Sequence, residues 1–270
     1  MSYKTILVQA KADEAGTRAL SVAKAVARMF EAAILGVAAE AFDNSVYGDA
    51  AGELIAAERE LVEGDVTAAA NSFHDLTKDW PFGARCVSSA EAPLDVIIRH
   101  ARGADLVVAC RPPGRGKAAS DCAPAALVME SGLPVLLPAD GTSELKAEHV
   151  LVAWRDQREA ISAISDALPL LIRARTVHLV SICPADQQEP TRTALEDVKR
   201  RLTRHGAAVE TEILTPTGNV TGDLEAAAER VHADLIVAGA YSHNRVREWA
   251  LGGVTQDLIA GSTKFVLLSR

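Results

Sequence analysis

The sequence predicts an α/β protein of two tandem domains. Each is an open, doubly wound sheet of five mostly parallel strands, and the two pack as a pseudo-dimer. Three observations predict this. One pattern is written twice in the 270 residues. Short apolar runs alternate with amphipathic stretches, as strands do when right-handed helical crossovers connect them. The hydrophobic fraction is 49% but the aromatic fraction only 4%. Ala, Val, Leu and Ile must therefore fill the core, which suits parallel strands buried under helices on both faces.

The repeat has three matched pieces in the same order. KTILVQAK at 4–11 matches EHVLVAWR at 148–155, ADLVVAC at 104–110 matches ADLIVAG at 233–239, and VLL at 135–137 matches VLL at 266–268. A duplicated unit must be recognised before any fold is assigned. The first half reads as strands over 4–9, 33–38, 83–88, 105–110 and 134–138, with helices over 14–30, 51–79, 92–102 and 121–131. The second half reads as strands over 149–154, 176–182, 208–214, 234–239 and 264–269, with helices over 157–173, 190–205, 220–232 and 252–261. The halves join in the polar stretch Ala139-Asp140-Gly141-Thr142-Ser143-Glu144, which places the domains at 1–143 and 144–270. In such sheets ligands sit at the carboxyl ends of the strands, where the winding reverses. That directs attention to the ends of the first and fourth strands of each half.

Several function classes are disfavoured. The net charge of −8 opposes general binding to nucleic acid or anionic membranes. The acidic excess falls almost wholly in residues 1–145, so the second half is the less hostile host for a polyphosphate. No apolar run is long enough to span a membrane, and MSYKTILVQA enters a strand without a secretory apolar core. The expected location is the cytoplasm. There Cys86, Cys110, Cys122 and Cys183, which form no close pair, are expected to be reduced and partly buried. The seven histidines show no zinc-ligand spacing and no nucleophile elbow occurs, so no metal site and no catalytic residue is assigned. Gly114-Arg115-Gly116-Lys117 lacks P-loop spacing, and Ala118 stands where Ser or Thr would hold Mg²⁺. Residues 114–117 read instead as a flexible basic loop, in the segment from Arg111 to Lys117 that replaces the glycine motif of the second half.

The most informative segment is GAYSHNRVREWALGGVT at 239–255, between an apolar strand and a helix. Gly239 either opens the strand end to a ligand or makes a tight turn. Gly252, Gly253, Val254 and Thr255 form a helix entrance whose free backbone N–H groups can hold phosphate. Thr255 supplies a hydroxyl donor or caps the helix. His243, Arg245 and Arg247 belong to a rim, Tyr241 follows the strand end directly, and Trp249 reads as a packing or interface residue. In the first half, Cys110 stands at the position of Gly239, and Pro112 and Pro113 remove donors that a phosphate cradle needs.

With these motifs the chain resembles the universal stress protein family in its tandem form, over essentially its whole length and most strongly in the second half. Family members that bind ATP carry Gly, two residues, Gly, nine residues, then Gly followed by Ser or Thr. Here the spacing is kept as Gly239, Ser242, Gly252 and Gly253. Ser242 either crowds a nucleotide or offers it a hydroxyl. Nucleotide-binding relatives place an Asp after the first strand, facing adenine. The matching residues here are Lys11 and Arg155, and a cation cannot accept the hydrogen bond that the adenine amino group offers. It can pair with a phosphate or a carboxylate, or make only a surface ion pair.

The resemblance implies an adenine-nucleotide-hydrolase-like, Rossmann-like fold. It also implies a ligand-facing set of Trp154, Arg155, Ser181, Gly239, Tyr241, Ser242, Gly252, Gly253, Val254 and Thr255. The first functional reading is a cytoplasmic stress-response regulator that binds ATP, ADP or AMP, with Mg, or another phosphorylated ligand. Any enzymatic activity would be weak ATP hydrolysis. The second is a non-nucleotide scaffold acting through protein contacts or dimerisation. For it, the strands at 133–137 and 264–268 are the candidate edges for self-association, and they are also each other's expected partners within the chain. A flavodoxin-like electron carrier is a third reading, disfavoured because no aromatic pair is placed to sandwich a flavin.

Overall fold

The computed structural model describes residues 2–42, 52–111, 123–139, 141–142, 144–240 and 253–270. The first half runs β1 (Thr5–Gln9), α1 (Glu14–Phe30), β2 (Ala33–Ala39), α2 (Gly52–Thr77), β3 (Ala84–Ser89), α3 (Pro93–Ala101), β4 (Leu106–Val108), α4 (Pro124–Glu130) and β5 (Val135–Leu137). The second runs β6 (His149–Ala153), α5 (Arg158–Leu171), β7 (Thr176–Ile182), a 3-10 turn (Ala185–Gln187), α6 (Gln188–Arg204), β8 (Val209–Leu214), α7 (Val220–Arg230), β9 (Leu235–Gly239), α8 (Gly253–Gly261) and β10 (Phe265–Ser269). Every strand and helix expected from the apolar pattern is present. The 3-10 turn was not expected; it carries no buried residue, so it leaves no apolar signal.

All strands join one sheet in the order β3-β2-β1-β4-β5-β10-β9-β6-β7-β8. Within each half the neighbours are parallel, and the winding reverses at β1 and β6. The halves meet where β5 and β10 pair antiparallel, Leu137 opposite Val266 and Val135 opposite Leu268. These two strands, edges of their own domains, therefore lie in the middle of the combined sheet. The outer edges are β3 and β8.

The repeated Ala-Asp-Leu motif has a physical reason. Asp105 accepts the backbone N–H groups of Lys4 and Thr5 at 2.7 and 2.9 Å. Asp234 does the same for Glu148 and His149 at 3.0 and 3.3 Å. Each carboxylate ties the start of the fourth strand of its half to the start of the first. Strand alternation then divides the core into two layers. Ile6, Val8, Val150, Val152, Leu235 and Val237 lie under α1, α2, α5 and α6. Leu7, Val107, Leu151, Ile236, Val266 and Leu268 lie under α3, α4, α7 and α8. No described helix is long and apolar enough to cross a membrane.

A second contact between the halves lies beside the β5–β10 seam. The Tyr3 hydroxyl donates to the backbone oxygen of Asp166 at 2.6 Å, and the Ser269 hydroxyl donates to the Asp166 carboxylate. Burial raises the Asp166 carboxyl above its ordinary range, and the Ser269 hydrogen bond only partly offsets this. A carboxyl raised on folding binds its proton more tightly in the native state. Its contribution to stability is therefore greatest in acid and falls as pH rises from about 4, the unfolded value, through the raised native value. Asp166→Asn keeps an acceptor for Ser269 and removes the charge. The expected result is a higher thermal midpoint relative to the parent at neutral pH, with the gain shrinking toward pH 4. Parallel pH profiles for the two proteins would contradict this.

Candidate functional site

In the second half, β6 and β9 run side by side to the switch point, with Ala153 opposite Ala238. Past β6 the ladder extends by one residue, because the Trp154 N–H donates to Val180 O at 2.7 Å. That register sets Trp154 beside Ser181, and both are buried, at 5% exposure. Trp154 belongs to the layer under α5 and α6. Its indole Nε1–H is buried without an acceptor among the described residues, and such a donor costs about 1–3 kcal/mol if nothing satisfies it. Arg155 then turns outward and is exposed. Its carbonyl accepts from Gln157 N–H at 2.6 Å, closing a tight turn into α5, whose N-cap Gln157 makes no side-chain cap.

Gly239 has a role the sequence did not suggest. A Cβ there would lie 2.5 Å from the carbonyl carbon of Glu159 and 2.6 Å from the nitrogen of Ala160. The first turn of α5 thus rests directly on the end of β9. The glycine is required by backbone packing and does not simply open the strand end. The Glu159 side chain is brought into this contact and is buried, with Arg158 Nη2 4.0 Å from its Oε1. No residue of the motif announces Glu159, because its burial comes from α5 docking on a strand far along the chain.

Gly253, Val254 and Thr255 form the first turn of α8. A Cβ at Gly253 would meet nothing within 4 Å among the described residues. Thr255 is buried at 7% exposure. A hydrogen bond of 3.2 Å from Thr221 Oγ1 to Asp257 Oδ2 fixes α8 against α7. Tyr241, Ser242 and Gly252, with His243, Arg245, Arg247 and Trp249, lie outside the described residues. The structure therefore brings Trp154, Ser181 and Gly239 to adjacent strand ends, while α8 begins at Gly253 and is tied to α7.

The first half is built differently at the matching place. Counted back from the matched strands, Pro124 takes the position of Thr255. It removes both a backbone donor and a hydroxyl, and the N-cap Ala123 offers no side-chain bond. Cys110 occupies the position of Gly239. Burial pushes its thiol up to about 11, even with Lys11 nearby favouring the thiolate, so it is an inert thiol. Cys86, Cys110 and Cys183 are free, and Cys122 and residues 114–117 lie outside the described residues. Arg111, just past the end of β4, has its guanidinium bonded into the second half.

A sequence model of the Universal stress protein family matches residues 146–270. No curated protein matches the chain significantly. Among solved structures, the chain is similar to a universal stress protein from Archaeoglobus fulgidus. The TM-score is 0.71 at 16% identity, over 98% of each chain. It is also similar to a functionally unknown protein from Pseudomonas aeruginosa, at TM-score 0.61 and 15% identity, over 99% of this chain and 92% of that one. A protein of the universal stress protein family from Burkholderia pseudomallei aligns with 45% of this chain and 95% of its own, at 25% identity and TM-score 0.39. The whole-length likenesses speak for the fold, and the family match speaks for the second half. Residues 146–270 therefore belong to the universal stress protein family, and the chain as a whole has the tandem, two-domain form of its fold.

Proposed function

We propose that the protein is a stress-response regulator that holds a phosphorylated small ligand in its second half, at the entrance of α8. The observation that carries this reading is the contrast between matched helix entrances. In the second half a glycine, which no described residue crowds, stands two residues before a buried threonine in the first turn of the helix. In the first half a proline takes the threonine's place. Free N–H groups at a helix N-terminus, where the dipole is positive, favour an anion. Gly253 has no packing reason among the described residues, and a phosphate approaching the backbone supplies one.

ATP, ADP and AMP are the first candidates, with Mg accompanying the polyphosphates. The adenine side fits less well, since Arg155 stands where an acceptor is needed. The ligand is therefore read mainly through its phosphates, and base selectivity is low. The scaffold alternative draws on the same Arg155 and on Gly239, which packing already explains.

Calorimetric titration separates the two. The expected result is binding of ATP and of inorganic tripolyphosphate with affinities within about tenfold of each other, a difference of about 1.4 kcal/mol. A strong preference for ATP would overturn the phosphate-first reading. No heat with any of these ligands at millimolar concentration would leave the scaffold reading in its place.

A further inference from the structure

We infer that the first half positions the ligand helix of the second half through Arg111, and this rests on the reading that the α8 entrance binds phosphate. Arg111 follows Cys110 at the end of the fourth strand, the place where a first-half ligand would sit. Its Nε–H donates to Pro138 O at 2.9 Å, within its own half. Across the seam, Nη1 donates to Leu258 O and to Ile259 O, both at 2.9 Å. Nη2 donates to Lys264 O at 3.1 Å.

The acceptors explain what the contact does. Leu258 and Ile259 lie in the last two turns of α8, and Lys264 precedes β10. The last carbonyls of a helix have no partner within it, and the dipole there favours a cation. A guanidinium is planar and carries five donors in a fixed fork, so one side chain can set several carbonyls at once. α8 has nine residues and is about 13 Å long, a length over which a helix moves as a rigid rod. Holding its C-terminal carbonyls therefore sets the position of Gly253 and Thr255 at its other end.

Among the described residues the device works in one direction only. By the repeat, the counterpart of Arg111 is Ala240. It is fully buried, and its backbone N–H donates to Ser269 O at 2.7 Å. Alanine has no group that can reach the end of α4. The half that carries Pro124 in place of the threonine has thus kept, at its own strand end, a residue serving the other half. Arg111 is a positioning residue for α8, and any change that moves the first-half strand ends is transmitted to the phosphate entrance.

The test uses the full chain as parent, Arg111→Ala and Arg111→Lys, at a temperature where circular dichroism shows all three folded. Hydrogen exchange without ligand is the first readout. Arg111→Ala is expected to raise exchange at least about tenfold over 254–262, with β6 and β7 unchanged, and Arg111→Lys to fall between. The second readout is tripolyphosphate affinity, expected to weaken about tenfold in Arg111→Ala and less in Arg111→Lys. Unchanged exchange over α8, exchange raised evenly across both halves, or unchanged affinity in a protein whose α8 has loosened would each overturn the inference. If the parent binds no tripolyphosphate, the functional reading fails and the exchange arm alone decides whether Arg111 positions α8.

Discussion

Gly239→Ala destabilises the protein by about 1–3 kcal/mol, as overpacking of a close-packed contact does, although it adds a single methyl group. The atoms that the new Cβ would strike are the backbone carbon and oxygen of Glu159 and the backbone nitrogen of Ala160, at 2.5, 2.8 and 2.6 Å. No side-chain rotation can relieve contacts with main chain. The first turn of α5 must move, and α5 is not free to do so. Its Ala163, Ile164, Ala167 and Leu171 are at most 1% exposed, and its Asp166 is held by Tyr3 and Ser269. For a chain of this size each kcal/mol lowers the thermal midpoint by about 2–4 °C. Gly239→Val should cost more. A midpoint unchanged by Gly239→Ala would show that α5 does not press on β9, and would return the glycine to a turn or ligand-clearance role.

Gly253 gives the opposite pattern, with a large effect on binding and little on stability. Gly253→Ala fits without contact, so the fold should hold or gain up to about 1 kcal/mol from the better helix former. Gly253→Glu should also fold, because a carboxylate in the first turn favours the helix dipole by about 0.3–1 kcal/mol. The same carboxylate repels a phosphate at the entrance. At about 4 Å the repulsion is about 1 kcal/mol in bulk water and about 4 kcal/mol near a protein surface. Affinity for ATP or tripolyphosphate should therefore fall between about fivefold and a thousandfold, with no loss in the unfolding midpoint. Binding kept within about twofold in Gly253→Glu would place the phosphates elsewhere. Loss of binding together with loss of stability would point to a packing defect.

Much of the fold was legible because its signals are local or periodic. The strands announce themselves as aliphatic runs, since both faces of a parallel sheet are buried. The duplication is readable because each half needs the same Asp to tie its first and fourth strands, at Asp105 and Asp234. The β5–β10 pairing was also foreseen, since VLL in both halves leaves two short apolar edges that must be covered.

The candidate site was legible only in outline. Gly252 and Gly253 could be contrasted with Pro112 and Pro113 from the sequence, because proline and glycine constrain the backbone wherever they stand. Gly239 could not be understood the same way, because what excludes a side chain there is a helix that begins about eighty residues earlier. Trp154 was grouped with ligand-facing residues through the family resemblance. Only the packing shows it within the core, with an unmatched N–H.

The sequence by itself determined that the chain is a doubled α/β unit whose second half belongs to the universal stress protein family. Periodicity, repeat order and the backbone chemistry of Gly and Pro are properties of short stretches, and they survive without a structure. Only the tertiary structure decided that Gly239 serves α5 and that Arg111 crosses the seam. Both depend on backbone atoms brought together from distant parts of the chain. A carbonyl acceptor looks the same at every position of a sequence, so nothing in the letters 258, 259 and 264 could announce that an arginine from the other half would bind there.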